Sequence, residues 1–143
     1  MGKILALDPG DQWVGSALSD ASKILARPYQ TVTRDTLFSF LEQTLAKERI
    51  EAVVIGYPKT MQGTISQQTQ KIIDLHQELQ SAMPQVKFIL WDERLSSKRA
   101  DVLSKARTPE EKRMSHSRAA AFILDSYLGY LLHQKSMEEM EGQ

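Results

Sequence analysis

Residues 3–19 have the sequence KILALDPGDQWVGSALS, and this stretch decides the fold. Its first part, Lys3 to Leu7, is a short apolar run of the kind found in buried strands. The Asp-Pro-Gly-Asp segment at 8–11 is a strong turn signal. Residues 13–19 alternate large and small side chains, which is typical of a second strand. The chain is therefore expected to begin with an antiparallel pair of strands.

The spacing of apolar residues predicts the remaining elements. Residues 24–33 are predicted to form a third strand, in which Pro28 indicates a sheet edge or a bulge. The helix that follows is predicted to be capped at Arg34–Thr36 and to include Ile50 on its apolar face. Two buried parallel strands are expected at 52–56 and 86–91, helices at 66–82, 96–104 and 117–133, and a mobile surface loop at 105–115.

This order of elements predicts an α/β fold. We expect one five-stranded mixed sheet, with three antiparallel strands followed by two parallel ones and with helices on both faces. The crossover rule makes the later strands parallel neighbours of the first strand. Residues 1–135 are expected to form a single domain, and residues 136–143 a flexible acidic tail.

Composition excludes several classes of site. The 143 residues include no cysteine, so disulfides, thiolate catalysis and zinc-thiolate sites are ruled out. The apolar run near the N-terminus is too short for a signal peptide or a membrane span, so a cytoplasmic protein without a membrane partner is expected. With 18 basic and 18 acidic side chains, net charge gives no general attraction to nucleic acid. Any such binding must use local patches such as 94–107 or 112–118, whose alternative role is a solvated helix face.

Carboxylates follow two of the predicted strands. Asp8 comes directly after the first strand, and Asp92 and Glu93 come after the strand at 86–91. Open α/β sheets bind ligands at the carboxyl ends of their strands. If the two strands are adjacent, a spacing of about 4.8 Å would let Asp8 and Glu93 share a divalent cation. The alternatives are a turn aspartate at Asp8 and a helix cap at Asp92.

Other candidates lie in loops and at the start of the last helix. His116 precedes the apolar final helix, where its alternative role is a surface histidine beside a capping serine. Lys59, between a buried strand and a helix, is placed to hold a nucleic-acid phosphate. Neither a Walker A loop nor a Rossmann glycine pattern is present. Trp13 and Trp91 are of the type that stacks on bases, but at strand positions packing is the expected role.

Four motifs, taken in order, resemble the YqgF (RuvX) family. They are Asp8-Pro-Gly, VIGYPK at 54–59 with a following Gly-Thr, DERLSS at 92–97, and AAAFIL at 119–124 with a following Tyr-Leu. The resemblance extends from residue 3 to about residue 131, and DERLSS is its most specific part. It implies a ribonuclease H-like fold related to the resolvase RuvC. It also implies a nuclease that matures the 5′ end of pre-16S ribosomal RNA, or one that resolves branched DNA.

The resemblance also implies a set of site residues. The family's catalytic acids match Asp8 and Glu93, and the place of its third acid is taken by His116. Together they would hold Mg²⁺ or Mn²⁺, in a site for two ions. Because histidine removes one negative charge and suits Mn²⁺ better than Mg²⁺, we expect weaker metal binding, a preference for Mn²⁺ or a reduced rate.

The implied partner is nucleic acid, either precursor ribosomal RNA or branched DNA. Substrate phosphates would be bound by Lys59, Arg94, Lys98 and Arg118. The oligomeric state is left open between monomer and homodimer, since a resolvase that cuts two strands symmetrically needs a two-fold axis. A third possibility, favoured by His116, is a catalytically weak nucleic-acid-binding factor in ribosome assembly.

Overall fold

The computed structural model describes residues 2–57, 67–92 and 107–142. Within them, one five-stranded sheet carries helices on both faces. The predicted helix at 96–104 lies outside the described residues. The strands are β1 (Lys3–Pro9), β2 (Trp13–Ser19), β3 (Ala26–Thr33), β4 (Ile50–Tyr57) and β5 (Phe88–Asp92); the helices are α1 (Leu37–Lys47), α2 (Gln67–Ala82) and α3 (Pro109–Glu141), with a 3-10 turn at Arg34–Thr36.

The sheet has the strand order β3-β2-β1-β4-β5. β1 and β2 are antiparallel, as are β2 and β3, whereas β4 is parallel to both β1 and β5. The predicted mixed sheet, three antiparallel strands followed by two parallel ones, is confirmed. One point of the prediction is wrong, because only one of the two later strands, β4, is a neighbour of β1, and β5 lies one strand further out.

Side chains of β1 alternate between two cores. Leu5 and Leu7 lie in the core shared with α1 and α2. Ile4 and Ala6 lie in the core on the other face, which α3 covers. The helices therefore divide between the faces as predicted, with α3 alone on the second face among the described elements.

The first helix is shorter than its apolar spacing predicts. Glu48 adopts an extended conformation, and its N–H donates to the Thr44 carbonyl, which ends α1 at Lys47. Lys3 N–H then donates to the Arg49 carbonyl over 2.7 Å, so the chain is already beside β1. Ile50 accordingly begins β4 and does not belong to the helix, although its position fits a helical repeat.

The last helix begins earlier than predicted, at Pro109 and not at residue 117. Thr108 Oγ1 accepts a hydrogen bond from Glu111 N–H, and the Glu111 carboxylate accepts one from Thr108 N–H. This is a capping box with proline at the first helical position. The predicted loop at 105–115 is therefore wrong from residue 109 onwards, because Thr-Pro-Glu-Glu starts a helix.

The same helix also continues past its predicted end at His133 and reaches Glu141. Residues 132–142 are all exposed. Flexibility of the segment 136–143 stays a prediction. Along the described ranges, none of the helices combines the length and apolarity that a membrane span needs.

Candidate active site at the carboxyl ends of the strands

Asp8 is a buried carboxylate inside the central strand. It pairs with Gly15 of β2, and only 1% of its surface is exposed. Pro9 still pairs with Val14, so the strand extends two residues beyond the predicted end at Leu7. Asp8 follows Ala6 by two residues and so shares the α3 face of the sheet. Its position within a strand argues against the alternative of a turn aspartate.

His116 lies directly above the strand partner of Asp8. A Cβ atom on Gly15 would stand 2.1 Å from the His116 carbonyl oxygen, which means that the helix backbone rests on the strand backbone. Only glycine allows this approach. Gly15 thus sets the position of α3 over the sheet. A glycine inside an alternating strand pattern is a signal for such an approach, but the prediction of β2 assigned no such role to Gly15.

The imidazole of His116 turns towards the β1–β2 corner. A Cβ atom on Gly10 would lie 3.6 Å from His116 Cε1. Gly10 N–H donates to the Trp13 carbonyl over 2.8 Å, which closes the corner just beyond Asp8 and Pro9. Asp8 and His116 therefore border the same corner of the α3 face. His116 is half-buried in the second turn of α3, and the helix is capped by Thr108 and not by a serine beside the histidine.

The third predicted ligand, Glu93, lies outside the described residues, as do Lys59, Arg94 and Lys98. The preceding residue, Asp92, ends β5 opposite Tyr57 of β4. Because Trp91 packs in the core under α3, Asp92 belongs to the other face of the sheet. Asp92 therefore does not share a face with Asp8.

The separation of the two acidic strands differs from the expectation. Leu7, Ile55 and Leu90 are level across the three parallel strands. β4 stands between β1 and β5, so their backbones are about 10 Å apart, twice the spacing of adjacent strands. Gly56, the next residue of β4, adds no side chain between them. A carboxylate at the end of β5 would have to reach across this glycine to meet Asp8.

The donor types at the corner suit a divalent cation. A carboxylate and an imidazole together are ligands for Mn²⁺, and the carboxylate is also a ligand for Mg²⁺. Within residues 2–57, 67–92 and 107–142 there is no group of three or more acids or histidines that would hold a metal ion. Asp8 and His116 fit the metal as two of its ligands, and the described residues do not supply a third.

Asp125 is the next acid along α3, and it lies in a different place. It lines a cavity of about 640 Å³ with Lys23 and Glu51, at the opposite end of the sheet. Asp125 is exposed, and nine residues separate it from His116. It is therefore far from the corner that Asp8 occupies.

Basic side chains at the start of α3 differ in orientation. Arg118 is exposed, and a difference of two residues places it about 200° around the helix from His116. Lys112 and Arg113 lie within about 60° of His116 on the same helix, and both are exposed. The side of α3 that carries His116 is therefore bounded by these two cations.

The two tryptophans differ in their surroundings. Trp91 packs against Tyr127 and Tyr130 with ring centroids 5.1 and 5.2 Å away, and its Nε1–H donates to Ser126 Oγ. This is the packing role that the strand position predicts. Trp13 is half-buried, and the Arg113 guanidinium lies 5.0 Å from its ring centroid.

Comparison with known proteins gives one matching family and many relatives. The family model described as RuvX, Holliday junction resolvase, matches residues 2–130. A Rubrobacter xylanophilus protein named "Putative pre-16S rRNA nuclease" is 34% identical over 129 residues, which cover 89% of this chain and 92% of that protein. A Caldanaerobacter subterraneus protein of the same name is 32% identical over 136 residues, with 88% and 95% covered.

The fold also matches solved structures. RuvC of T. thermophilus in complex with a Holliday junction substrate superposes with a TM-score of 0.55 at 12% identity, covering 93% of this chain and 97% of that one. At this identity the match concerns the fold, which is that of the ribonuclease H-like resolvases. The family-model match over residues 2–130 and the relatives at 34% and 32% identity show that the chain belongs to the RuvX family.

Proposed function

We propose that this protein is a metal-dependent phosphodiester hydrolase that processes the 5′ end of pre-16S ribosomal RNA. The observation that carries the proposal is the Asp8 carboxylate, 1% exposed at the end of the central strand and beside His116, in a member of this family. The names of the Rubrobacter and Caldanaerobacter relatives support the choice of substrate. A cytoplasmic location agrees with that substrate and with the lack of cysteine.

Asp8, Glu93 and His116 are the proposed catalytic and metal-binding residues. A bound Mg²⁺ or Mn²⁺ would supply a Lewis acid for the phosphate and lower the pKa of a water molecule. Asp8 contributes a negative charge in a site shielded from water, where electrostatic interactions are strong. His116 contributes a lone pair but no charge when neutral. This lower charge favours Mn²⁺ and a slower reaction than a site with three acids.

Lys59, Arg94, Lys98 and Arg118 are the proposed contacts to substrate phosphates. Charge-assisted hydrogen bonds from such side chains fix the register of a nucleic acid without selecting its sequence. Arg118 is exposed, which supports its availability, although it points away from the His116 side of α3. It would therefore bind a phosphate some distance from the one that is hydrolysed.

The test is cleavage of a 5′ precursor fragment of 16S RNA by the purified protein in Mg²⁺ and in Mn²⁺. We expect Asp8→Asn to reduce the rate by about a thousand-fold or more while the fold is retained, because the substitution removes the charge but keeps the shape. Asp125→Asn is the matched control, an exposed acid at the other end of the sheet, and should cleave as wild type does. Unchanged cleavage by the Asp8→Asn protein would refute the site.

A second substitution tests the role of the histidine. His116→Asp restores an oxygen ligand and a negative charge, so we expect faster cleavage in Mg²⁺ than the wild type gives. Rates should be compared in both metals at saturating concentration and again as metal titrations. If the variant is slower in both metals, His116 does not stand in for an acid.

Branched DNA is the second candidate substrate, and the description of the matching family model favours it. A four-way junction should be assayed beside the RNA fragment under the same conditions. Paired symmetrical cuts, together with a dimer in solution, would favour resolution of junctions. Retarded migration of either nucleic acid in a gel, without cleavage over hours, would instead favour a binding factor in ribosome assembly.

A further inference from the structure

Arg113 lies over the ring of Trp13 beside the candidate site. Its Cζ atom is 5.0 Å from the indole centroid, within the range of a cation–π contact. Arg113 is exposed, whereas Trp13 is half-buried at the start of β2. The guanidinium is thus supported from below by the ring and open to solvent.

The helix backbone at Arg113 is attached to the edge strand. Thr31 Oγ1 of β3 donates to the Arg113 carbonyl oxygen. The capping box between Thr108 and Glu111 stabilises the turn before it. The start of α3 is therefore held at two points, and the base of the Arg113 side chain has a defined position.

Arg113 forms no salt bridge with any acid in the described part of the chain. Among residues 2–57, 67–92 and 107–142, the salt bridges are Lys3–Glu48 and Lys23–Glu51, and neither includes Arg113. The nearby Glu111 carboxylate accepts hydrogen bonds from the backbone N–H groups of Arg107 and Thr108, which keep its pKa below the ordinary value. The Glu111 carboxylate is thus used in capping the helix and does not form a salt bridge with Arg113.

The pair adjoins the corner that holds Asp8 and His116. The Trp13 carbonyl accepts the hydrogen bond from Gly10 N–H that closes this corner. Arg113 precedes His116 by three residues, and side chains with that spacing are neighbours on a helix. A phosphodiester chain that passes Asp8 along the α3 side would therefore meet Arg113 next.

A cavity that Trp13 also lines is less suited to phosphate. It has a volume of about 350 Å³ and is lined by Asp11, Gln12, Trp13, Thr33, Arg34 and Asp35. Its two carboxylates outnumber the single arginine, so an anionic backbone is disfavoured. A nucleic-acid backbone is therefore expected to pass along the start of α3, beside the positive charges of Arg113 and Lys112.

We propose that Arg113 binds a backbone phosphate of single-stranded RNA near the one that is hydrolysed, and that Trp13 is the residue that positions it. The inference rests on the proposed function for its substrate. Arg113 would act by charge and hydrogen bonding, as arginine does at phosphates. Trp13 would act through Arg113 by limiting the orientations of the guanidinium.

Binding is best measured without cleavage, in the Asp8→Asn protein, by fluorescence anisotropy of a labelled single-stranded RNA from the 5′ precursor. The same measurement is made with a labelled single-stranded DNA of the same sequence. Arg113→Ala should weaken binding about ten-fold. It should also lower the slope of log affinity against log salt by about 0.7, the value for one phosphate on a single strand. Arg27→Ala, which removes an exposed arginine from the opposite end of β3, is the matched control and should change neither.

The role of Trp13 is tested by replacement of its ring. Trp13→Leu should weaken binding several-fold, while Trp13→Phe, which keeps an aromatic face, should remain close to the parent. Arg113→Ala should then make the Trp13→Leu change almost neutral, because the ring acts through the arginine. Additive losses would contradict that assignment.

The outcomes separate the two proposals. If Arg113→Ala changes neither the affinity nor the salt slope of the Asp8→Asn protein, the inference is overturned even if the wild type cleaves RNA. A clear Arg113 effect on binding, in a protein that never cleaves, would overturn the proposed hydrolase but would support Arg113 as a residue that binds a backbone phosphate of RNA. Failure of the Asp8→Asn protein to bind either strand would overturn the inference as well.

Discussion

The two faces of the sheet are packed in opposite ways. Towards α1 and α2 the strands present large side chains such as Leu5, Leu7 and Ile55. Towards α3 they present mostly small ones, including Ala6 and Ala17. The first face fills space with apolar volume, and the second lets a helix come close to the strand backbone.

The difference shows that one face of the sheet mainly stabilises the fold, whereas the other face positions the candidate site. Buried Leu and Ile side chains on the first face stabilise the sheet through their transfer free energy. On the second face, the absence of a side chain at Gly15 lets the His116 backbone rest on the strand partner of Asp8. The missing side chain at Gly15 thus positions the candidate site, whereas the large apolar side chains on the other face stabilise the sheet.

The largest effect on stability is expected on the large-residue face. Leu79 of α2 is fully buried there, and Leu79→Ala should lower the free energy of unfolding by about 3 kcal/mol. Activity per folded molecule should stay at the wild-type level, because α2 does not contact the Asp8 corner through this side chain. Chemical denaturation and the cleavage rate measure the two quantities. Gln77→Ala, an exposed change on the same helix, is the control, and a loss of activity equal to that of a site variant would break the comparison.

A smaller loss of stability but a larger loss of activity is expected at Gly15. The added Cβ in Gly15→Ala would stand 2.1 Å from the His116 carbonyl oxygen, so α3 must move away. Overpacking of this kind costs about 1–3 kcal/mol, and displacement of His116, the proposed ligand, should cost about a hundred-fold in rate. Gly129→Ala is the matched control, since its Cβ would meet nothing within 4 Å. If both variants cleave as wild type does, close approach of α3 is not needed for the site.

The smallest effect concerns acid stability of the start of α3. Backbone hydrogen bonds from Arg107 and Thr108 lower the pKa of Glu111 from its ordinary 4.5. A lowered pKa means that the contribution of Glu111 to stability is complete above pH 4.5 and is lost as pH falls through the folded-state value. Glu111→Gln keeps a side-chain acceptor but does not titrate. The amide shifts of residues 107–108 should therefore change with acid in the wild type and stay constant in the variant; identical titrations would contradict the cap.

Much of the sheet could be predicted from local pattern. The alternation in β2 gave the observed bounds, Trp13–Ser19, and the apolar run of β1 placed Asp8 near a strand end. Strand order was harder, because periodicity does not say which parallel strand pairs with β1. The insertion of β4 between β1 and β5 doubles the expected separation of the two acidic strands.

The candidate site was predicted in part for similar reasons. Asp8 was found because a carboxylate after an apolar strand has a simple meaning in α/β sheets. The placement of His116 in the second turn of α3 was not foreseen, since Pro109 and the charges around it suggest a loop. The Thr-Pro-Glu-Glu signal at 108–111 was available and would have corrected this. The contact of Gly15 with α3 depends on tertiary packing, which no local pattern contains.

Because α3 is long and continuous, a small tilt near His116 would displace its far end by a larger distance. About 38 Å of continuous helix separate His116 from Glu141, and the far end stands clear of the sheet. A tilt of about 5° at the Gly15 contact would carry the tip through roughly 3 Å, if the helix moves as a rod. A spin label or dye placed near residue 141 would therefore report small adjustments at the corner between Asp8 and His116 as a distance change that spectroscopy can resolve.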